Sequence, residues 1–330
     1  MKVVAQHRDR YIVRGPDGDR DAVIAGRMRH QVASGEDLPA VGDWVEVAGS
    51  GEEDSVAQIR AVLPRRGAFR RKAAGDTTEV QIVAANVDLA IIATALPHDV
   101  NLRRVERYLT LAWESGATPL VLVTKADLVE DIEPALAAVR AIAPGVEVLA
   151  ISTHTGAGLD DVRTRLAPGL TAVLIGSSGV GKSTLVNALL GVERQRTADV
   201  RDDGAGRHTT THRELLELPS GAFLIDTPGM RELQLWSSDE GFETAFDDVA
   251  TLAENCRFRD CSHHAEPGCA VVAAAENGAL DASRLASWHN LRRELAYLER
   301  RQDAAAAADA RNHAKSTMRL LRAHLRDKYQ

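Results

Sequence analysis

Two clusters of residues in this chain have the types and spacing to do chemistry. The first is Gly176-Ser177-Ser178-Gly179-Val180-Gly181-Lys182-Ser183, with the apolar run Thr171-Ala172-Val173-Leu174-Ile175 before it and Thr184-Leu185-Val186-Asn187-Ala188-Leu189-Leu190 after it. Strand, glycine-rich turn and helix in that order make a phosphate loop. Its glycines let backbone N–H groups turn inward on phosphate oxygens, Lys182 reaches the β- and γ-phosphates, and the Ser183 hydroxyl is offered to Mg²⁺. The nucleotide-binding set thus runs from Gly176 through Thr184. The second cluster is Cys256, Cys261, His263 and Cys269, spaced Cys-x4-Cys-x-His-x5-Cys and holding all three cysteines of the chain. An odd, clustered cysteine count argues against a disulfide framework. Three thiolates and an imidazole suit one tetrahedral Zn²⁺ and leave no position for an activated water, so the site reads as structural. Adjacent His264 is an alternative ligand, and reactive or merely buried cysteines are the alternative reading.

Four further segments fit around the phosphate loop. Asp226-Thr227-Pro228-Gly229 ends an apolar strand, where Asp226 can hold the magnesium shell and Gly229 can present an N–H to a γ-phosphate; a helix cap is the plainer role for Asp226. Thr124-Lys125-Ala126-Asp127 follows another buried strand, and the Asp127 carboxylate can accept from the N1–H and exocyclic amine of guanine, which adenine does not present together. That choice favours GTP over ATP. Ser152-Thr153-His154-Thr155-Gly156 would complete the base pocket through its backbone. Gly206-Arg207-His208-Thr209-Thr210-Thr211-His212-Arg213 lies where a mobile switch must bring a threonine to Mg²⁺ and the γ-phosphate; Thr210 is the first choice and Thr211 the next. Met230 follows Gly229 and cannot polarise water, so His208 is the intrinsic candidate for orienting it, while contact with RNA or a local cap are its other roles. Lys182 and Asp226 would supply charge and magnesium positioning.

The order of these segments is unusual. A GTPase ordinarily runs phosphate loop, switch threonine, Asp-x-x-Gly, Lys-x-Asp and serine loop, whereas here the two base-reading segments come first. A cut between the two halves keeps the site in space, because chain ends of a domain often lie close together. The expected fold is therefore α/β, a circularly permuted GTPase domain.

The elements that position these residues are readable in outline. Arg10 to Arg14, Asp21 to Ala25 and Trp44 to Val47 are short runs separated by Gly, Pro and Asp, as in a small antiparallel β-domain for which a five-stranded barrel is the candidate. The basic segment from Pro64 to Gly75 closes it, either as a solvated linker or as a contact to RNA phosphates. Buried-type strands follow at 87–93, 119–124, 146–151, 171–175 and 222–226, with helices at 102–115 and 132–143, which predicts a mostly parallel sheet. Beyond about residue 232 the pattern is helical around the cysteines. The domains expected are 1–75, 76–232 and 233–330.

At 330 residues, 45% hydrophobic and 26% charged, the composition is that of a globular chain. No apolar stretch of signal-peptide or membrane-spanning length occurs, which gives a cytoplasmic expectation. A formal charge of −7 attracts no nucleic acid overall, yet from Arg284 onward 11 Lys and Arg stand against 5 Asp and Glu, a local +6. Arg311, Lys315, Arg319, Arg322, Arg326 and Lys328 beside Leu320, Leu321 and Leu325 describe an amphipathic helix with a basic face, solvated or RNA-facing.

Permuted order, Gly206-Arg207-His208-Thr209-Thr210-Thr211, a preceding β-domain and downstream cysteines together resemble the bacterial RsgA, or YjeQ, family of ribosome small subunit-dependent GTPases over nearly the full length. The resemblance implies an N-terminal OB-fold, a permuted GTPase domain and a C-terminal zinc domain. It also implies action late in small-subunit maturation near the decoding region, with GTP and GDP, Mg²⁺, the small subunit and its rRNA as partners, no membrane, and a monomer. The family pattern selects His263 as zinc ligand. Its base motif has Asn where this chain has Thr124, which can replace only part of the amide's bracing of the phosphate loop. Slow intrinsic turnover completed by the ribosomal surface is the expectation. A GTP-dependent RNA-binding scaffold and a GTPase of a protein or tRNA pathway are the competing readings.

Overall fold

The computed structural model describes residues 1–7, 10–32, 34–48, 56–72, 80–192, 213–226, 239–298 and 300. The switch residues His208, Thr210 and Thr211, Gly229 with Met230, and the basic positions from Arg311 to Lys328 lie outside them.

The chain opens with β1 (Lys2–His7), β2 (Arg10–Gly15), β3 (Gly18–Ile24), the short helix α1 (Gly26–Gln31), β4 (Val45–Ala48) and β5 (Ala57–Val62). Alternating burial along β5 marks one face turned inward, and Val3, Tyr11, Val13, Val45 and Ile59 fill the space between the strands. The strands lie in the order β1-β2-β3-β5-β4, with β3 and β5 parallel, and a bridge from Lys2 to Trp44 joins the first to the last. That closes the expected five-stranded barrel. A hairpin follows, β6 (Ala68–Lys72) on β7 (Val80–Ala85). The segment read as a linker or RNA contact is therefore partly a strand, with Phe69 buried, and the boundary drawn after residue 75 falls between the hairpin's two strands. Arg65 leaves solvent because Asp43, itself 0% exposed, takes its guanidinium through two hydrogen bonds of 2.8 and 2.7 Å.

Next come β8 (Leu89–Ala95), α2 (Leu102–Glu114), β9 (Thr118–Thr124), α3 (Glu133–Ile142), β10 (Glu147–Ala150), α4 (Leu159–Arg165), β11 (Thr171–Gly176), α5 (Lys182–Leu190), β12 (Arg213–Glu217) and β13 (Phe223–Asp226). The expected strand at 87–93 starts two residues later. Asn86, at φ 55°, breaks the chain between β7 and β8, because its amide is spent on the Gly42 carbonyl at 3.1 Å and the Arg66 N–H at 2.9 Å. Every residue of β8 and β11 is buried, as strands covered on both faces require. The sheet order is β10-β9-β8-β11-β13-β12, parallel except at β12. In sequence, β8 to β10 precede β11 to β13; starting instead at β11 and returning through β8 gives the uncut order of the domain.

The barrel is not hung on a string. β1 pairs with β12, Ala5 opposite Glu214, so barrel and parallel sheet form one eleven-stranded ladder. Lys2 reaches across this seam: its Nζ donates to Thr171 Oγ1 at 2.8 Å and stands 4.7 Å from the centre of the Phe223 ring, and burial lowers its pKa.

The remaining described elements are α6 (Asp239–Ala245), α7 (Asp247–Ala253), α8 (Ala270–Glu276) and a helix over residues 282–298, here α9. They pack on α2 through a buried charge cluster. Arg284, 3% exposed, donates to Glu106 at 2.8 Å and to Asp248 at 2.9 and 3.0 Å, with its guanidinium 4.1 Å from the centre of Phe246; Glu106, 2% exposed, also accepts from Ser287. Removing one member leaves a buried charge without its partner, a loss of about 3–5 kcal/mol. Arg284→Ala is expected to lower the unfolding free energy by about that amount, measured by urea unfolding followed through tryptophan fluorescence. A change below about 1 kcal/mol, as for an exposed pair, would contradict the account.

Candidate nucleotide site and metal centre

Parallel pairing brings the carboxyl ends of β8, β9, β10, β11 and β13 to one edge of the sheet, the edge where open α/β sheets bind ligands. The phosphate loop leaves β11 there. Gly176 is packed so closely on β8 that a Cβ would stand 2.6 Å from the Ala93 carbonyl oxygen, which admits no other residue. Gly181, at φ 91°, turns the chain into α5, so the first N–H groups of the helix face the loop. Val180 anchors the loop from below, 0% exposed. Lys182 Nζ donates to the carbonyls of Gly176, at 2.7 Å, and Ser177. Ser178, Gly179 and Thr184 are exposed, and Ser183 lies half-buried in the first turn of α5. Asp226 ends β13, the neighbour of β11, opposite Glu214 of β12.

The base-reading segments stand on the other side of the same edge. Thr124 ends β9 with its side chain buried, and its hydroxyl lies 2.7 Å from the Val180 carbonyl, to which it donates, and 3.2 Å from that of Thr94. The threonine therefore makes one hydroxyl contact to the phosphate loop. Lys125, at φ 58°, reverses the chain so that Asp127 comes to Ser152. The Ser152 hydroxyl accepts from the Thr155 N–H at 3.1 Å and donates to Asp127, holding that carboxyl below its ordinary value. Asp127 is thus ionised and acceptor-only where it faces out.

Sequence reasoning missed a further member of this site. Asp99, in the turn after β8, accepts from the Ser177 hydroxyl and, at 2.8 Å, from Arg104. Nothing in a His-Asp-Val turn marks it, because the partner lies 78 positions away.

At the far end of the chain Cys256, Cys261, His263 and Cys269 bring their ligand atoms within 4.8 Å of one another. Cys256 Sγ and Cys269 Sγ are 3.9 Å apart, and His263 Nδ1 lies 3.6 and 3.5 Å from them. These are edge lengths of a tetrahedron whose centre sits about 2.0–2.3 Å from each atom, so the four fit one metal ion. His263 rather than His264 completes the set; His264 Nδ1 lies instead 3.2 Å from Nε2 of His289. His289 Nε2 is also 3.0 Å from the His263 carbonyl, and burial holds the His263 imidazole below its ordinary pKa, the neutral form a ligand needs. Glu266, also unforeseen, ties the loop together. Its carboxylate accepts from the N–H groups of Ser262 and His264, each at 2.9 Å, and of Ala265 at 3.1 Å, and the Ser262 hydroxyl holds its pKa strongly down.

A glycine-rich loop between β11 and α5, the hydrogen-bonded Asp127 and Ser152 after β9 and β10, and a strand order entered at β8 are the arrangement of a circularly permuted GTPase. The family model for the RsgA GTPase matches residues 62–236. Small ribosomal subunit biogenesis GTPase RsgA of Opitutus terrae is 47% identical over 95% of this chain and 88% of its own length, and RsgA 2 of Lactiplantibacillus plantarum is 46% identical over 90% and 83%. The crystal structure of YjeQ from Thermotoga maritima superposes with a TM-score of 0.68 at 27% identity, covering 89% of this chain and 97% of that one. The structure of YloQ, described as a circularly permuted GTPase, shares the fold at a TM-score of 0.64 and 24% identity, covering 89% and 93%. The chain belongs to the RsgA GTPase family.

Metal binding is expected to carry folding energy for the loop that holds it. Cys261→Ala should lose the bound metal, read by elemental analysis, and increase protease cleavage beyond residue 253, while GTP binding by the nucleotide site stays within about threefold, since distant sites act nearly independently. Full metal retention by this variant would exclude Cys261 as a ligand.

Proposed function

We propose that this chain couples GTP hydrolysis to maturation of the small ribosomal subunit, with one Zn²⁺ holding its C-terminal region and Mg²⁺ accompanying GTP. The observation that carries the reading is the meeting of two sequence halves at one sheet edge: Asp127 and Ser152 are hydrogen-bonded there, and Thr124 ties their side of the edge to the glycine-rich loop through Val180. In this reading Asp127 takes the guanine amine and N1–H, and Lys125 and Ser152 flank the base. Gly176 to Thr184 wrap the phosphates, Lys182 neutralises their charge, Ser183 and Thr210 hold Mg²⁺ with Asp226 behind them, and Gly229 meets the γ-phosphate. Bound Mg²⁺ would offset charge on the transferred phosphoryl group. His208 orients the water. Three thiolates and a neutral imidazole are the soft, four-coordinate donor set that suits structural zinc.

Small-subunit maturation is taken from the names of the relatives, which match most of this chain. The barrel of β1 to β5 and the region from about residue 233 onward then serve as RNA-facing modules on either side of the GTPase domain. We assign the protein to the cytoplasm as a monomer; among the described residues no helix is long and apolar enough to cross a membrane.

The paired test is co-sedimentation with isolated small subunits in GTP and in GDP, together with phosphate release. Association in GTP but not GDP, with faster phosphate release, is the expected result. His208→Ala should keep both GTP binding and association yet lose about 100-fold of the stimulated turnover. Association without stimulation would favour an RNA-binding scaffold, and stimulation only by another component would move the protein to a different pathway.

A further inference from the structure

Lys182 has two tasks that must share the three N–H donors of one ammonium. In this structure its ammonium cross-braces the start of the phosphate loop through the carbonyls of Gly176 and Ser177. Bound GTP would claim the same ammonium for the β- and γ-phosphates. Shared in this way, the ammonium holds the start of the loop less firmly, and ties that do not involve Lys182 gain weight. Among the described residues, two side-chain ties from outside the loop remain, one from the end of β9 and one from the turn after β8. Thr124, after β9, holds the middle of the loop at Val180, and Asp99, after β8, holds its start at the Ser177 hydroxyl.

Asp99 is built as an anchor. Its N–H donates to the Ala95 carbonyl at 3.0 Å, and its own carbonyl accepts from the Thr94 hydroxyl at 2.7 Å and from the Asn101 N–H at 3.0 Å. One carboxylate oxygen takes Arg104 at 2.8 Å, which offsets a negative charge that would otherwise face the phosphates; the other takes Ser177. Arg104 sits in the first turn of α2, below its cap Asn101, so its position is set by a helix rather than by a loop.

We propose that Asp99 is a positioning residue for GTP hydrolysis, fixing the first turn of the phosphate loop through the Ser177 hydroxyl when Lys182 is engaged with nucleotide. The inference rests on the assignment of residues 176–184 to the phosphates. It predicts a particular pattern of coupling, because Asp99 and Ser177 act through one hydrogen bond. A hydrogen bond to a charged group is worth about tenfold in binding or more. Asp99→Ala and Ser177→Ala should each raise the GDP dissociation rate and the KM for GTP about tenfold, and the double variant should be no worse than either single one. Asp99→Asn retains an acceptor oxygen and should recover most of the loss. Thr124→Val, which removes the other tie, should add to Asp99→Ala rather than merge with it.

The measurements are stopped-flow release of a fluorescent GDP analogue and steady-state phosphate release on the full chain, with thermal unfolding alongside. Ser177→Ala removes a single oxygen from a half-buried residue and keeps the test open if Asp99→Ala fails to fold. Affinities within twofold of the parent in both single variants, or additive effects in the double one, would overturn the proposal. Lys182→Ala separates the two levels: if it loses nucleotide while Asp99→Ala and Ser177→Ala do not, only the role of Asp99 falls. If Lys182→Ala binds nucleotide normally, the phosphate assignment falls with it.

Discussion

The contact between β11 and β8 is the constraint on which the rest depends. Gly176 leaves no room for a side chain against Ala93, and five residues of β11 are registered on β8, from Ala172 opposite Leu89 to Gly176 opposite Ala93. That ladder joins the half of the domain with the glycine-rich loop, which comes second in the chain, to the half with Asp127 and Ser152, which comes first. Cutting an ordinary GTPase order at another point would leave every such pair in place, because hydrogen bonding between strands does not depend on which loops are open. The permuted chain consequently keeps one site. It also gains a consequence for its flanks, since the modules before β8 and after β13 attach at new ends.

Those flanks are fastened by polar contacts and by a strand pairing. On one side Lys2 crosses to Thr171 at the start of β11, and β1 extends the sheet beyond β12. On the other, Arg284 and Glu294 of α9 grip Glu106 and Arg107 of α2, the helix whose first turn supplies Arg104 to Asp99. A single helix thus touches both the support of the phosphate loop and the metal-bearing region. Burying such charges is costly unless each is paired, and Arg284 has two carboxylates and a backbone carbonyl around it.

What the sequence showed best was local. The phosphate loop, the Thr124-to-Asp127 turn and the metal cluster each lie within a short window, so spacing alone exposes their chemistry, and the continuous apolar runs of β9 and β11 can hardly be anything but buried strands. What it concealed depends on distant partners. Asp99, Glu106 and Arg284 are ordinary polar residues until the fold sets them together. The basic stretch from Pro64 to Gly75 reads as a solvated linker or an RNA contact because its charge is visible in sequence, whereas the buried Asp43 opposite Arg65 is not. Strand β12 was hidden for another reason: only Leu215 and Leu216 of Arg-Glu-Leu-Leu-Glu are apolar, too few for a period to show. Thr124 reads as a partial brace, and its hydroxyl reaches Val180, one contact where an amide has more donors to offer.

The central claim is that Asp127, from the first half of the chain, chooses the base of a nucleotide whose phosphates are held by the second half. Exchanging its carboxylate for an amide reverses the hydrogen bonding offered to the base, from acceptor to donor, at the position where guanine presents its amine and xanthine a carbonyl. Nucleotide competition measured on Asp127→Asn is therefore the most direct test. The account predicts that the unmodified protein prefers GTP over both ATP and XTP, and that the variant prefers XTP while still requiring Lys182. Unchanged preference for GTP in the variant, or equal affinity for ATP and GTP in the parent, would contradict it.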